Sequence, residues 1–263
     1  MKLGCCVNML ASTDTQIGIE HIATLSELGY DYLELPLAQI TALPECKFKE
    51  TYKQTKGIPI EACNNFFPAN IRLTGENVDR SVISEYVKRA TERALQMGVK
   101  IIVLGSAGAK NIPVGFPYNE AREQFIALLY HLQSVIAPLG LTIVLEPLNT
   151  KESNFILTLD EAIAMAKEAD CDNIKVLADY YHMRMENEDI TVIKNAGEDL
   201  RHIHIAAKHG RTFPRENDGE DYETFFATLK TIGYDARISI EAYSDNVISD
   251  GSNSIRFLRR LMN

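Results

Sequence analysis

Leu141-Thr-Ile-Val-Leu-Glu146 is a short apolar run that closes on a carboxylate, and the same form returns three times downstream. Ile174-Lys-Val-Leu-Ala-Asp179, His202-Ile-His204 and Arg237-Ile-Ser-Ile-Glu241 each end on an acidic or imidazole side chain. Polar, Pro- or Gly-containing sequence follows each one. Segments of helical pattern, about 25 to 40 residues from one run to the next, separate them. One such ending carries little information. Four in succession predict four strand tips converging on one point.

Working outward, strand-like and helix-like patterns alternate eight times. The strands are expected at 2–7, 31–36, 58–63, 100–104, 141–146, 174–179, 201–206 and 237–242. Most are nearly continuous apolar runs, the form of parallel strands buried on both faces. Of the helices between them, the clearest starts near Ser81. Ile83, Val87, Ala90, Ala94 and Met97 repeat at helical spacing there, and Gly98 supplies the stop. Thr158-Leu-Asp-Glu161 reads as a capping box opening another. The last helix is expected over about 252–262, with Ile255, Leu258 and Leu261 on one face. Eight βα units in 263 residues give a single (β/α)8 TIM barrel over residues 1–263, a fold that typically takes roughly 250 residues. A doubly wound sheet is the rival. Its Gly-rich first turn is absent here, since the chain reads Val7-Asn-Met-Leu-Ala.

Composition narrows the function. At 46% hydrophobic residues the chain can bury a real core, and its net charge of −9 argues against a nucleic-acid partner. The five cysteines are scattered, with neither CxxC zinc spacing nor disulfide density, so a reduced, cytoplasmic setting is expected. No signal peptide is read, and no run of 18 apolar residues points to a membrane.

Side-chain alternation places the strand-end groups on the barrel's inner face. Thr142, Val144 and Glu146 share a face, as do His202 with His204 and Ser239 with Glu241. Ile143, Leu145, Ile203, Ile238 and Ile240 then face the helices. Three carboxylates and one imidazole (Glu146, Asp179, His204 and Glu241) form an oxygen-rich set suited to one divalent ion. Mn²⁺ is the expected ion, with Mg²⁺ next and Co²⁺ or Zn²⁺ as further alternatives. Taken singly each has an ordinary reading: Asp179 as a cap for a helix at Tyr180, Glu241 as a partner of Arg237, His204 as a core histidine, Glu146 as a solvated strand end. The recurrence favours the metal site.

Glu152, His182 and Arg211 follow the same strands and suit contacts to hydroxyl or carbonyl oxygens. Lys208 and Arg215 compete with Arg211. His202 is expected to support the site or pack in the barrel, and His21 and His131 to be structural. Asn64, Asn65, Phe66 and Phe67 could wall a small polar pocket, the alternative being that the two phenylalanines pack the barrel mouth. Gly105-Ser-Ala-Gly108 reads as a flexible βα loop.

These residues carry a resemblance. Lys2-Leu-Gly-Cys, Gly29-Tyr-Asp-Tyr-Leu-Glu34, Ala62-Cys-Asn-Asn-Phe-Phe-Pro68, Gly98-Val-Lys-Ile-Ile-Val-Leu-Gly-Ser106, Leu145-Glu-Pro-Leu-Asn149, Asp179-x-x-His182, His202-Ile-His204 and Ser239-Ile-Glu241 span nearly the whole chain. The sequence resembles the xylose-isomerase-like TIM-barrel superfamily of sugar isomerases and epimerases, on the side of the ketose 3-epimerases. The resemblance implies metal positions at Glu146, Asp179, His204 and Glu241, and substrate contacts at Glu152, His182 and Arg211. It implies a sugar substrate, epimerised at C3 through a metal-stabilised cis-enediolate by Glu146 and Glu241 as the two proton carriers. A homo-oligomer is possible, and the oligomeric state stays open. Four alternatives stay open: an aldose–ketose or hydroxypyruvate-type isomerase, a sugar or inosose dehydratase, a phosphodiester hydrolase of the related DNA-repair type, and a partner-dependent subunit.

Overall fold

The computed structural model describes residues 1–263. Eight strands pair in parallel and in sequence order, and β8 closes on β1. They are β1 (Lys2–Cys6), β2 (Tyr32–Pro36), β3 (Ile60–Asn64), β4 (Ile101–Leu104), β5 (Thr142–Leu145), β6 (Ile174–Asp179), β7 (Leu200–Ile205) and β8 (Arg237–Ile240). The expected TIM barrel is therefore the observed one. Glu146 and Glu241 each fall one residue past their strands, on the C-terminal rim.

Period-two alternation divides the strand residues between two layers. Ile143, Leu145, Ile203, Ile238 and Ile240 join the large apolar layer under the helices, while Tyr32, Ala62, Ile101, Val103, Val144 and Leu177 form a separate cluster inside the barrel. That inner cluster fills mainly the β3 to β6 side. On the β7, β8, β1 and β2 side the interior holds His202, His204, Ser239 and Glu34, none with any exposed surface. Tyr32, Gly4, Ser239 and His204 stand in register across these four strands. Position 4 must be glycine for this, because a Cβ there would lie 2.4 Å from the Tyr32 ring.

Helix ends follow their chemistry. Asp79 caps the helix Arg80–Met97 by accepting from the amides of Ser81 and Val82, and Gly98 ends it in the left-handed region. Thr158 accepts from the Glu161 amide, while the Glu161 carboxylate reaches the Leu157 amide rather than that of Thr158. The last helix runs Val247–Met262, starting about five residues earlier than the pattern suggests. Gly251 lies inside this helix, close to the Leu28 side chain. No helix is long and apolar enough to cross a membrane.

Candidate active site

The C-terminal ends of β5 to β8 bring the four expected ligand residues together. The Nδ1 atom of His204 lies 2.8 Å from Glu146 Oε1, 3.3 Å from Glu241 Oε2 and 4.0 Å from Asp179 Oδ2. All four side chains are buried. Glu146 reaches this point only because residue 105 has no side chain: a Cβ there would fall 1.9 Å from Glu146 Oε2. Its main chain is held from behind by Lys110, whose buried Nζ donates to the Glu146 carbonyl at 2.8 Å. Asp179 does two jobs at once. Oδ1 caps the following helix, accepting from the Tyr181 and His182 amides at 2.7 and 3.3 Å, while Oδ2 faces the cluster with no hydrogen-bond partner. Glu241 pairs with Arg211 rather than Arg237, and Asn64 Nδ2 donates to its Oε1 at 3.1 Å. Arg237 instead meets Glu61 at the opposite end of the barrel.

The three loop residues come to the same place. The helix Tyr180–Met185 carries His182, 2% exposed, with Nε2 3.5 Å from Asp179 Oδ2 and no hydrogen-bond partner. Its Nδ1 accepts from the Asn149 amide at 3.1 Å, so in the neutral ring the proton sits on Nε2. Asn149 Nδ2 also donates to Glu152 at 3.0 Å, and Glu152 lies 3.5 Å from Arg211 Nη1. Arg211 occupies a left-handed turn at φ 48°. Bonds from Tyr243 N to Arg211 O and from Ala207 N to Thr212 O hold that turn in place. Its guanidinium lies 4.5 Å over the Tyr181 ring and 3.8 Å from Asp179 Oδ2. The competitors point elsewhere: Lys208 reaches Asn187, and Arg215 is exposed.

Electrostatics in this enclosure are uneven. Burial pushes Asp179 up to about 6, with Glu241 adding to the rise and Arg211 opposing it. Burial also raises Glu146, against the pull of His204. Burial acts to raise Glu241 as well, but His204 and Arg211 outweigh it and hold that carboxyl well below its usual range. His182 is pushed down to about 4 by burial and is neutral at physiological pH. Burial alone would lower His204, yet Glu34, Glu241 and Glu146 together raise it well above the imidazole range.

Such a set fits a divalent cation. Carboxylates outnumber cations, and a buried oxygen of Asp179 has no donor. Glu146, Asp179, Glu241 and one nitrogen of His182 also present atoms within 4.8 Å of one another, so two imidazoles border the same space. A cleft of about 340 Å³ between the helices Arg80–Met97 and Tyr118–Ile136 holds no carboxylate, and the chemistry does not lie there.

Other expectations resolve as mixtures. Asn64 faces the site, whereas Phe66 and Phe67 are buried against Tyr86. His202 supports the barrel interior through Glu34, and His131 meets Ser84 among the outer helices. The loop after β4 is not loose: Ala107–Lys110 is a helical turn ending on the buried lysine. Sequence reasoning gave no role to Glu34, Lys110, Asn149 or Tyr181. Glu34 alone left a signal, an acid at an inward position between Leu33 and Leu35.

Comparison with known proteins agrees with the geometry. The family described as xylose isomerase-like TIM barrel matches residues 22–261. A ketose 3-epimerase from Arthrobacter globiformis is 33% identical over 253 residues, 95% of this chain and 86% of that protein. A 3-dehydro-D-guloside 4-epimerase from Escherichia coli (strain K12) is 25% identical over 85% of this chain and 86% of its own length. Among solved structures, a D-allulose 3-epimerase from Methylomonas sp. in complex with D-allulose superposes with a TM-score of 0.83. It is 21% identical and covers 99% of this chain and 96% of that one, a likeness of fold.

Proposed function

The chain belongs to the xylose isomerase-like TIM-barrel family, and from that premise we propose that it epimerises a ketose at C3 with the help of one divalent ion. It is an enzyme of the sugar isomerase and epimerase kind. The observation that carries the reading is the approach of three buried carboxylates to one nitrogen, His204 Nδ1. Glu146, Asp179, Glu241 and His204 Nδ1 would hold the ion. His182 would not, because its Nδ1 is occupied by an amide and its Nε2 carries the proton. When bound, the ion supplies Lewis-acid polarisation of the substrate carbonyl and offsets the carboxylate charge. Mn²⁺ suits the oxygen-rich set.

The residues divide the remaining work. Glu146 and Glu241 stand on strands three apart around the barrel, so they reach a substrate from different sides. One carboxylate takes the proton from C3, leaving an enediolate whose charge rests on the C2 oxygen. The other carboxyl returns a proton to the opposite face of C3. Their surroundings set them apart for this, since burial raises Glu146 while Arg211 and His204 hold Glu241 ionised. His182 Nε2–H and Arg211 would donate to substrate oxygens, and Glu152 would accept from a hydroxyl. Return of the proton to the neighbouring carbon would give aldose–ketose isomerisation instead. The five unpaired cysteines, three of them buried, support a reducing, cytoplasmic setting.

The test is incubation of the purified chain with Mn²⁺ and a panel of free and phosphorylated ketoses in D₂O. The C3 epimer should form with deuterium at C3. An aldose product would mark an isomerase, and loss of water a dehydratase. Mn²⁺-dependent incision of abasic DNA, with no deuterium in any ketose, would replace the reading with a hydrolase.

A further inference from the structure

Beneath the ligand atoms, inside the barrel, sits a carboxylate that the proton-transfer scheme does not use. Glu34 is on β2 and has no exposed surface. Elsewhere in the barrel interior Val103, Val144 and Leu177 form an apolar cluster, so packing alone does not call for an acid here. Burying a carboxylate is costly unless every oxygen is satisfied. Here both are. Oε1 lies 3.0 Å from His204 Nε2. Oε2 lies 2.7 Å from His202 Nε2 and accepts from Ser239 Oγ at 2.6 Å. Ser239 in turn meets the Tyr32 hydroxyl at 2.7 Å, the ring for which Gly4 leaves room.

An ionised carboxylate only accepts. Nε2 of His204 therefore keeps an N–H toward Glu34, while Nδ1, 2.8 Å from Glu146 Oε1, is the nitrogen whose proton a cation among Glu146, Glu241 and Asp179 would displace. We propose that Glu34 is a positioning residue for the metal centre: through Nε2 it fixes the tautomer and orientation in which His204 offers Nδ1 as a ligand, and Ser239 holds Glu34 in turn. Carboxylate–imidazole–metal relays of this kind set ligand basicity and ring orientation. The inference rests on the metal-site reading above.

The experiment measures Mn²⁺ dissociation constants by calorimetry for wild type, Glu34→Gln and Ser239→Ala. Thermal unfolding of the metal-free proteins and turnover at saturating Mn²⁺ accompany it. The amide of Glu34→Gln keeps the shape but has one acceptor oxygen for three donors. It should weaken Mn²⁺ binding by about ten- to a hundredfold, with turnover largely recovered once Mn²⁺ saturates. Ser239→Ala should weaken binding in the same direction, by about fivefold. A folded Glu34→Gln protein that binds Mn²⁺ as tightly as wild type, even with a lowered melting temperature, overturns the proposal and leaves the metal site standing. If Glu34→Gln does not fold, Ser239→Ala decides, and unchanged affinity there overturns it. A wild-type protein that binds no Mn²⁺ removes the metal-site reading itself, and this inference with it.

Discussion

At the N-terminal end of the barrel Glu61 lies between Lys2 and Arg237, Asp31 meets Arg259, Asp199 meets Lys175, and Asp235 meets the amino terminus. At the C-terminal end Glu146, Asp179 and Glu241 crowd around one imidazole and one guanidinium, with Asp179 Oδ2 and His182 Nε2 unpaired. Pairs at the first end are mostly part-exposed and worth up to about 1 kcal/mol each. The second end gathers buried carboxylates whose desolvation costs several kcal/mol apiece by general estimate. The end where carboxylates outnumber cations is the one for which a cation and a polar substrate are proposed. The other end carries ordinary ion pairs.

The largest effect should come from the two proposed proton carriers. Glu146→Gln and Glu241→Gln, assayed at saturating Mn²⁺ by deuterium exchange into the ketose, should each lose about a thousandfold or more of turnover. Near-normal rates in either variant would reject the two-carboxylate scheme. Proton competition should come next. Metal-free His204 stays protonated through the neutral range, and Asp179, raised above the ordinary aspartate range, takes a proton below about 6. Metal must displace these protons, so affinity should rise with pH by about tenfold per unit and more steeply below pH 6. The span from pH 7.5 to 5.5 should weaken Mn²⁺ binding by about a hundredfold or more, and a flat profile in calorimetry would contradict it.

A smaller effect is expected at the loop residue proposed to contact substrate and not metal. His182→Ala should leave Mn²⁺ affinity intact and lower kcat/KM for the best ketose by at least about tenfold. Lost metal binding in that variant would make His182 a ligand and not a substrate contact. The smallest effect should lie at the paired end. Glu61→Ala should shift thermal unfolding by about 1 kcal/mol, with Mn²⁺ affinity and turnover unaltered. A changed metal affinity would show that the two ends are coupled.

The two ends were not equally legible in the sequence. The convergence of Glu146, Asp179, His204 and Glu241 could be read because each closes an apolar run, and strand alternation fixes the direction of its side chain. His182, Glu152 and Arg211 followed as neighbours of those endings. The choice of Arg211 over Lys208 and Arg215 rests on a left-handed turn held by Tyr243, a contact between loops that no local pattern encodes. Glu34 was visible as an acid in an apolar strand. Its partners, however, come from β7 and β8, more than 160 residues away. Lys110 left no mark, since its burial depends on the β5 carbonyl above it. The last helix begins about five residues before the expected 252, because Asn246 caps it through the Ser249 amide.

The carboxylate-rich end is proposed to be a metal centre built by Glu146, Asp179, His204 and Glu241. Crystals grown or soaked with Mn²⁺, and measured at the manganese absorption edge, test it most directly. One anomalous peak is expected, bound by these four side chains through His204 Nδ1, with one or two positions open to substrate. A peak elsewhere in the molecule, or one with fewer than three of the four as ligands, would contradict it.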